Sequence, residues 1–229
     1  GICNAHCFYC PSAQNDLVPP MANSVVFEKP RDYAYFVNLF QIKGVSFSGG
    51  EPFLTFRRTL SFLETLKNRV DYPLYTWMYT NGLQVTTERL AALRDNGLDE
   101  IRFDLSANAY RLEGLEKAVG IIPRVTIEIP AIPEDVSVLA ALMPVWEQAG
   151  VDYLNLHQIR CTHFNGRRLA KRGYTFVYGP KVTVLESELT ALSLIRHALS
   201  RSIDLPINYC AYTYRHQFQG AGARHRYAT

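Results

Sequence analysis

Residues 43–52 read KGVSFSGGEP. A short β-branched and aromatic run ends here on Gly49-Gly50-Glu51-Pro52, which predicts a strand with a polar, glycine-rich tip. The pattern continues outward in both directions. Upstream, PRDYAYFVNLF (30–40) predicts a helix with Pro30 near its first turn. Downstream, residues 55–69 place Leu60, Phe62, Leu63 and Leu66 on one helical face. LYTWMYT (74–80) predicts a strand ending at Asn81-Gly82, and the helix from Thr87 to Asp95 closes on Asn96-Gly97. EIRFDLS (100–106), RVTIEIPAI (124–132) and DYLNLHQI (152–159) predict further strands, with helices over 112–119 and 135–149 between them. Residues 160–183, rich in Arg, Gly and Tyr, predict a loop. A helix over 186–200 and a last strand, LPINYCAY (205–212), follow.

Six strands alternating with helices imply an α/β fold with a parallel sheet covered by helices. Ligands in such sheets sit at the carboxyl ends of the strands. Those ends carry Ser48 to Pro52, Thr80-Asn81-Gly82, Asp104-Leu105-Ser106, Glu128-Ile129-Pro130 and His157-Gln158, whereas the strand bodies are apolar.

Composition narrows the classes. The chain has 229 residues, 48% hydrophobic and 20% charged, which excludes wholesale disorder. A chain of this length buries enough surface to fold without a disulfide scaffold. A net charge of +3 is too mild to make nucleic acid the main partner. No apolar run approaches the length of a membrane span, and no signal-peptide core is present, so a cytoplasmic location is expected.

Three of the five cysteines, Cys3, Cys7 and Cys10, crowd into eight residues. Loops this tight suit a metal site better than disulfides. Three thiolates select zinc or an iron–sulfur cluster and leave one coordination position open. A zinc loop, closed by His6 or a distant cysteine, is the plain alternative.

Together, Cys3-x3-Cys7-x2-Cys10 and Gly49-Gly50-Glu51-Pro52 resemble the radical S-adenosylmethionine (SAM) superfamily over roughly residues 1–160. The resemblance implies a partial (β/α)6 TIM-like barrel, its first strand truncated or upstream of Gly1. It implies that Cys3, Cys7 and Cys10 ligate a [4Fe–4S] cluster whose fourth iron chelates SAM. Reductive cleavage of SAM would then give a 5′-deoxyadenosyl radical that takes hydrogen from a substrate. Gly49, Gly50 and Glu51 would meet the methionine amino group, and the Tyr9 backbone the adenine. Thr80, Asn81 and Ser106 would be polar contacts to SAM. Asp104 would be a structural partner pointing inward. Glu128 would face SAM or substrate, with a buried ion pair as the alternative; His157 would meet adenine, or else be a satisfied core histidine.

Beyond residue 160 the resemblance gives no guidance, so the chain divides into a core (1–160) and a C-terminal completion and lid (161–229). Cys161 and Cys210 are too few for a second cluster and are expected to be buried structural residues. Basic residues crowd 160–172, including Arg167 and Arg168, and recur with aromatics at Tyr212, Tyr214, Arg215, His216 and 224–226. They suit an anionic small molecule, an acidic peptide, or a flavodoxin- or ferredoxin-type electron donor. The lid favours a small molecule. The alternative is an activating enzyme or modifier acting on a protein or peptide. A non-catalytic iron–sulfur or zinc module is the alternative of another class.

Overall fold

The computed structural model describes residues 1–13 and 18–219. All six expected strands form, each shorter than its sequence pattern. They are β1 (Gly44–Phe47), β2 (Tyr75–Thr80), β3 (Glu100–Phe103), β4 (Val125–Pro130), β5 (Tyr153–His157) and β6 (Ile207–Cys210). They make one parallel sheet in the order β6-β5-β4-β3-β2-β1. Each strand thus lies beside its neighbour in sequence, as successive crossovers produce.

The helices are α1 (Pro30–Leu39), α2 (Phe56–Arg69), α3 (Thr87–Asp95), α4 (Glu113–Ala118), α5 (Val136–Gln148), α6 (Gly166–Ala170) and α7 (Leu185–Arg201). Their ends follow local chemistry. Pro30 opens α1, where a missing N–H is harmless. The Thr86 hydroxyl accepts the Arg89 N–H at the start of α3, and Gly97 (φ +82°) follows its end. Between 160 and 183 the structure departs from the expected loop. The segment contains α6 and a short antiparallel pair, Phe176–Val177 with Thr183–Val184. A second such pair, Met21–Ala22 with Val25–Val26, was likewise not expected. Two-residue strands are too short to show a period of two.

By contact the described residues fall into two compact units. One comprises 1–5, 18–103 and 111–125, and the other 6–13, 104–110 and 126–219. This is a different partition from the 1–160 and 161–229 segments read from the sequence. The first unit has a core of Ala34, Val37, Val45, Leu66 and Leu74, where α1 and α2 pack on β1. The second has one of Tyr9, Ile132, Ile159, Leu169 and Val184. Among the described residues no helix is long and apolar enough to cross a membrane. Tyr212, Tyr214, Arg215 and His216 lie on a short helical stretch after β6, largely exposed. Residues 224–226 lie outside the described residues.

Candidate active site

The diglycine turn at the tip of β1 is built on backbone that only glycine adopts readily. Gly49 and Gly50 have φ of +91° and +76°. The amino-terminal residues run against this turn. The Glu51 N–H donates to the Ile2 carbonyl at 2.8 Å, and a Cβ on Gly50 would stand 2.1 Å from that same oxygen. Glu51 itself is 2% exposed and fully engaged. Its Oε1 accepts the Phe53 N–H (3.1 Å) and the Thr80 hydroxyl (2.9 Å), and its Oε2 accepts the Asn81 N–H (2.7 Å). The carboxylate therefore ties the tip of β1 to the tip of β2. The exposed backbone of Gly49 and Gly50 is the part of the motif open to a ligand.

Thr80 and Asn81 are buried and belong to the same network. Thr80 Oγ1 accepts the Gly82 N–H, and Asn81 Oδ1 accepts the Leu83 N–H. Asn81 Nδ2 donates to Asn4 Oδ1 at 2.6 Å. Asn81 is thus both a turn residue and an anchor for the residue after Cys3. The Cys3 sulfur accepts the Ala5 N–H at 3.4 Å.

In the second unit the loop from Cys7 to Cys10 turns through a Cys10 N–H to Cys7 carbonyl bond. Tyr9 is 8% exposed and packs in the core. Its hydroxyl lies 3.1 Å from Asp104 Oδ2 and 2.6 Å from Ser106 Oγ. Ser106 Oγ also donates to Asp104, so Tyr9, Asp104 and Ser106 form one triad. Burial pushes the Asp104 carboxyl up to about 6, against the pull of those hydrogen bonds. Asp104 is the inward structural partner expected. Ser106, expected at SAM, has its hydroxyl held inside this triad.

The rest of the cysteine loop is held by the segment after β5. Asn165 has no exposed surface, and its Nδ2 donates to the carbonyls of Tyr9 and Arg160, both at 2.8 Å. Its Oδ1 accepts the Thr162 N–H at 2.7 Å. Thr162 Oγ1 donates to the Pro11 carbonyl, and Arg168 Nη1 to the Cys7 carbonyl at 3.1 Å. The Arg172 guanidinium stacks 3.5 Å over the Phe8 ring. The basic segment expected to face substrate thus grips the cysteine loop; Arg167 alone of its pair projects into solvent. Sequence reasoning missed Asn4 and Asn165, and assigned Arg168 to substrate, because their partners are far away in sequence.

The remaining candidates share one face of the sheet. Glu128 is in register with Asn155, and Asn155 with Asn208; one step on, Pro130, His157 and Cys210 align. The alternating Ile127, Ile129, Leu154 and Leu156 are all without exposed surface and occupy the other face. Asn155 Nδ2 donates to Glu128 at 3.3 Å, so Glu128 has a neutral partner here. Burial pushes His157 down to about 4, which keeps the ring neutral near pH 7 with one donor and one acceptor nitrogen. Cys161 and Cys210 are half-buried and in no disulfide, and burial pushes the Cys161 thiol up.

Thiolate is the donor type that an iron–sulfur cluster takes. Cys3, Cys7 and Cys10 are partly exposed and in no disulfide, and a backbone N–H already points at one sulfur. Among the described residues no three His, Cys, Asp or Glu side chains converge on a metal-ion site.

The described residues thus combine a parallel α/β sheet, a diglycine turn at one strand tip and three cysteines, in no disulfide, near the amino terminus. Residues 1–110 match the Radical SAM superfamily, whose enzymes use a [4Fe–4S] cluster and SAM. A candidate glycyl-radical enzyme activating enzyme of Methanocaldococcus jannaschii, MJ0021, is 30% identical over 224 residues. The match takes in 92% of this chain and 58% of that protein, so the chain spans little more than half of its curated relative. Among solved structures, SuiB of Streptococcus suis bound to its precursor peptide SuiA superposes with a TM-score of 0.62 at 13% identity, over 96% of this chain and 49% of that one. Coproporphyrinogen III oxidase HemN of Escherichia coli gives 0.50 at 13% identity, over 88% and 51%. These two likenesses establish the α/β fold, that of the partial TIM barrels.

Proposed function

We propose that this protein is a radical SAM activating enzyme that directs hydrogen abstraction at a glycine of a partner protein. The observation that carries the reading is the 30% identity to the M. jannaschii relative across 92% of the chain. When bound, a reduced cluster and SAM supply a 5′-deoxyadenosyl radical able to take a hydrogen atom.

The chain's own residues hold and orient. Cys3, Cys7 and Cys10 present three thiolates and leave one iron for SAM. Gly49 and Gly50 let the methionine end approach exposed backbone, while Glu51, Thr80 and Asn81 keep that backbone in place. His157, held neutral, can meet adenine with one donor and one acceptor. Glu128 and Asn155 line the polar face of the sheet towards ribose or the partner's glycine loop. The external reductant is a one-electron donor of flavodoxin or ferredoxin type. The small-molecule alternative leaned on 160–183 as a lid, but Thr162, Asn165 and Arg168 of that segment bond the cysteine loop.

Anaerobic reconstitution tests the reading. Brown protein with about four irons per chain should release 5′-deoxyadenosine from SAM with dithionite, and Cys7→Ala should abolish release while the circular dichroism spectrum is kept. With the partner protein added, a glycyl-radical signal should appear in electron paramagnetic resonance. Colourless protein holding one zinc overturns the reading.

A further inference from the structure

Two guanidinium groups meet the cysteine loop, and their charges differ in one respect. Arg172, over Phe8, is neutralised by Glu134 at 2.6 Å. Arg168 has no such counter-charge among the described residues. Its Nη1 donates to the Cys7 carbonyl and its Nη2 to the Phe164 carbonyl, both at 3.1 Å, and among the described residues no carboxylate pairs with it. It is half-buried, so water screens its charge only in part. Its backbone is fixed too: the Arg168 N–H donates to the carbonyl of Asn165, the buried residue that also holds Tyr9.

A fixed, unpaired cation bonded to the carbonyl of a cysteine ligand has a physical consequence. Reduction adds one electron, supplied by an external one-electron reductant, and makes a cluster more negative by one charge. A nearby positive charge favours the more negative state, and hydrogen bonds and net charge around the sulfurs set the potential of such clusters. We infer that Arg168 is a positioning residue that seats Cys7 and raises the reduction potential of the cluster through its unpaired charge. The inference rests on the reading of Cys7 as a cluster ligand. It gives a task to a residue whose place in a basic run pointed to substrate.

The test is a potentiometric titration of the reconstituted wild type, R168Q and R168K, followed by the resonance signal of the reduced cluster. R168Q keeps a donor for the Cys7 carbonyl but loses the charge, and its midpoint is expected at more negative potential. R168K keeps the charge and is expected at the wild-type midpoint. Equal midpoints for R168Q and wild type overturn the inference. So does an R168K midpoint as negative as that of R168Q. Where R168Q takes up no cluster, R168K decides alone: an unchanged midpoint supports the charge role and a negative shift overturns it. A wild type that forms no [4Fe–4S] signal defeats the cluster reading itself, a distinct outcome.

Discussion

At the scale of single residues, Gly49 and Gly50 look alike in sequence and differ in space. Both sit at positive φ, where any other residue is strained by about 1–2 kcal/mol. A Cβ on Gly49 meets nothing within 4 Å, whereas one on Gly50 strikes the Ile2 carbonyl. Gly49→Ala should therefore lower stability by roughly 1–2 kcal/mol and still take up iron. Gly50→Ala should in addition unseat residues 1–3, and with them Cys3, so that iron per chain falls sharply. Iron content beside urea unfolding separates the two, and equal iron uptake would contradict the contact. Glu51 teaches the same lesson in another form. Its presence at a strand tip was legible, but its three internal donors were not, because two of them, Thr80 and Asn81, come from the end of β2 and the residue after it. Glu51→Gln should cost about 1–3 kcal/mol by turning one accepting oxygen into a donor that faces other donors. Thermal unfolding checks this, and an unchanged midpoint would mean the carboxylate is not the clamp.

At the scale of elements, every sheet strand was legible, because apolar runs bounded by Gly, Pro and Asn carry their own local signal. Even α5 was, although Pro144 interrupts its pattern. The segment after β5 was not. Its order comes from contacts such as Asn165 with Tyr9 and Thr162 with Pro11, more than 150 residues apart in sequence, and no local pattern encodes them. Locally it shows only charge, which suggested a surface. The structure makes it a brace for the cysteine loop. Asn165→Ala would leave two carbonyls and the Thr162 N–H without their partner, a loss of about 2–3 kcal/mol. Asn165→Asp should be at least as harmful, since it sets a carboxylate against the carbonyls of Tyr9 and Arg160. Denaturant unfolding of the two variants measures this. Near-wild-type stability in both would show that the brace is dispensable.

At the scale of the whole molecule, two buried groups of opposite sign hide one another in the pH dependence of stability. Burial raises Asp104 from 3.8 to about 6, so the folded chain holds a proton there that the unfolded chain has lost. Stability from this group is fully present below about pH 4 and is lost as pH rises through 6. Burial lowers His157 from 6.5 to about 4, with Glu128 opposing the shift and Arg215 and Arg160 adding to it. Here the unfolded chain binds the extra proton, so stability is present above pH 6.5 and is lost as pH falls through 4. Each shift is about two units, or ~3 kcal/mol, over nearly the same window. The two contributions therefore nearly cancel between pH 4 and 6.5. Removing either one exposes the other: Asp104→Asn should lose stability relative to the wild type as pH is lowered from 6.5 to 4, and His157→Gln should gain. Carboxylates elsewhere titrate in all three chains and drop out of the differences. Denaturant midpoints at half-unit pH intervals give both curves, and two variants that move in parallel with the wild type would show that neither group is buried as a charge.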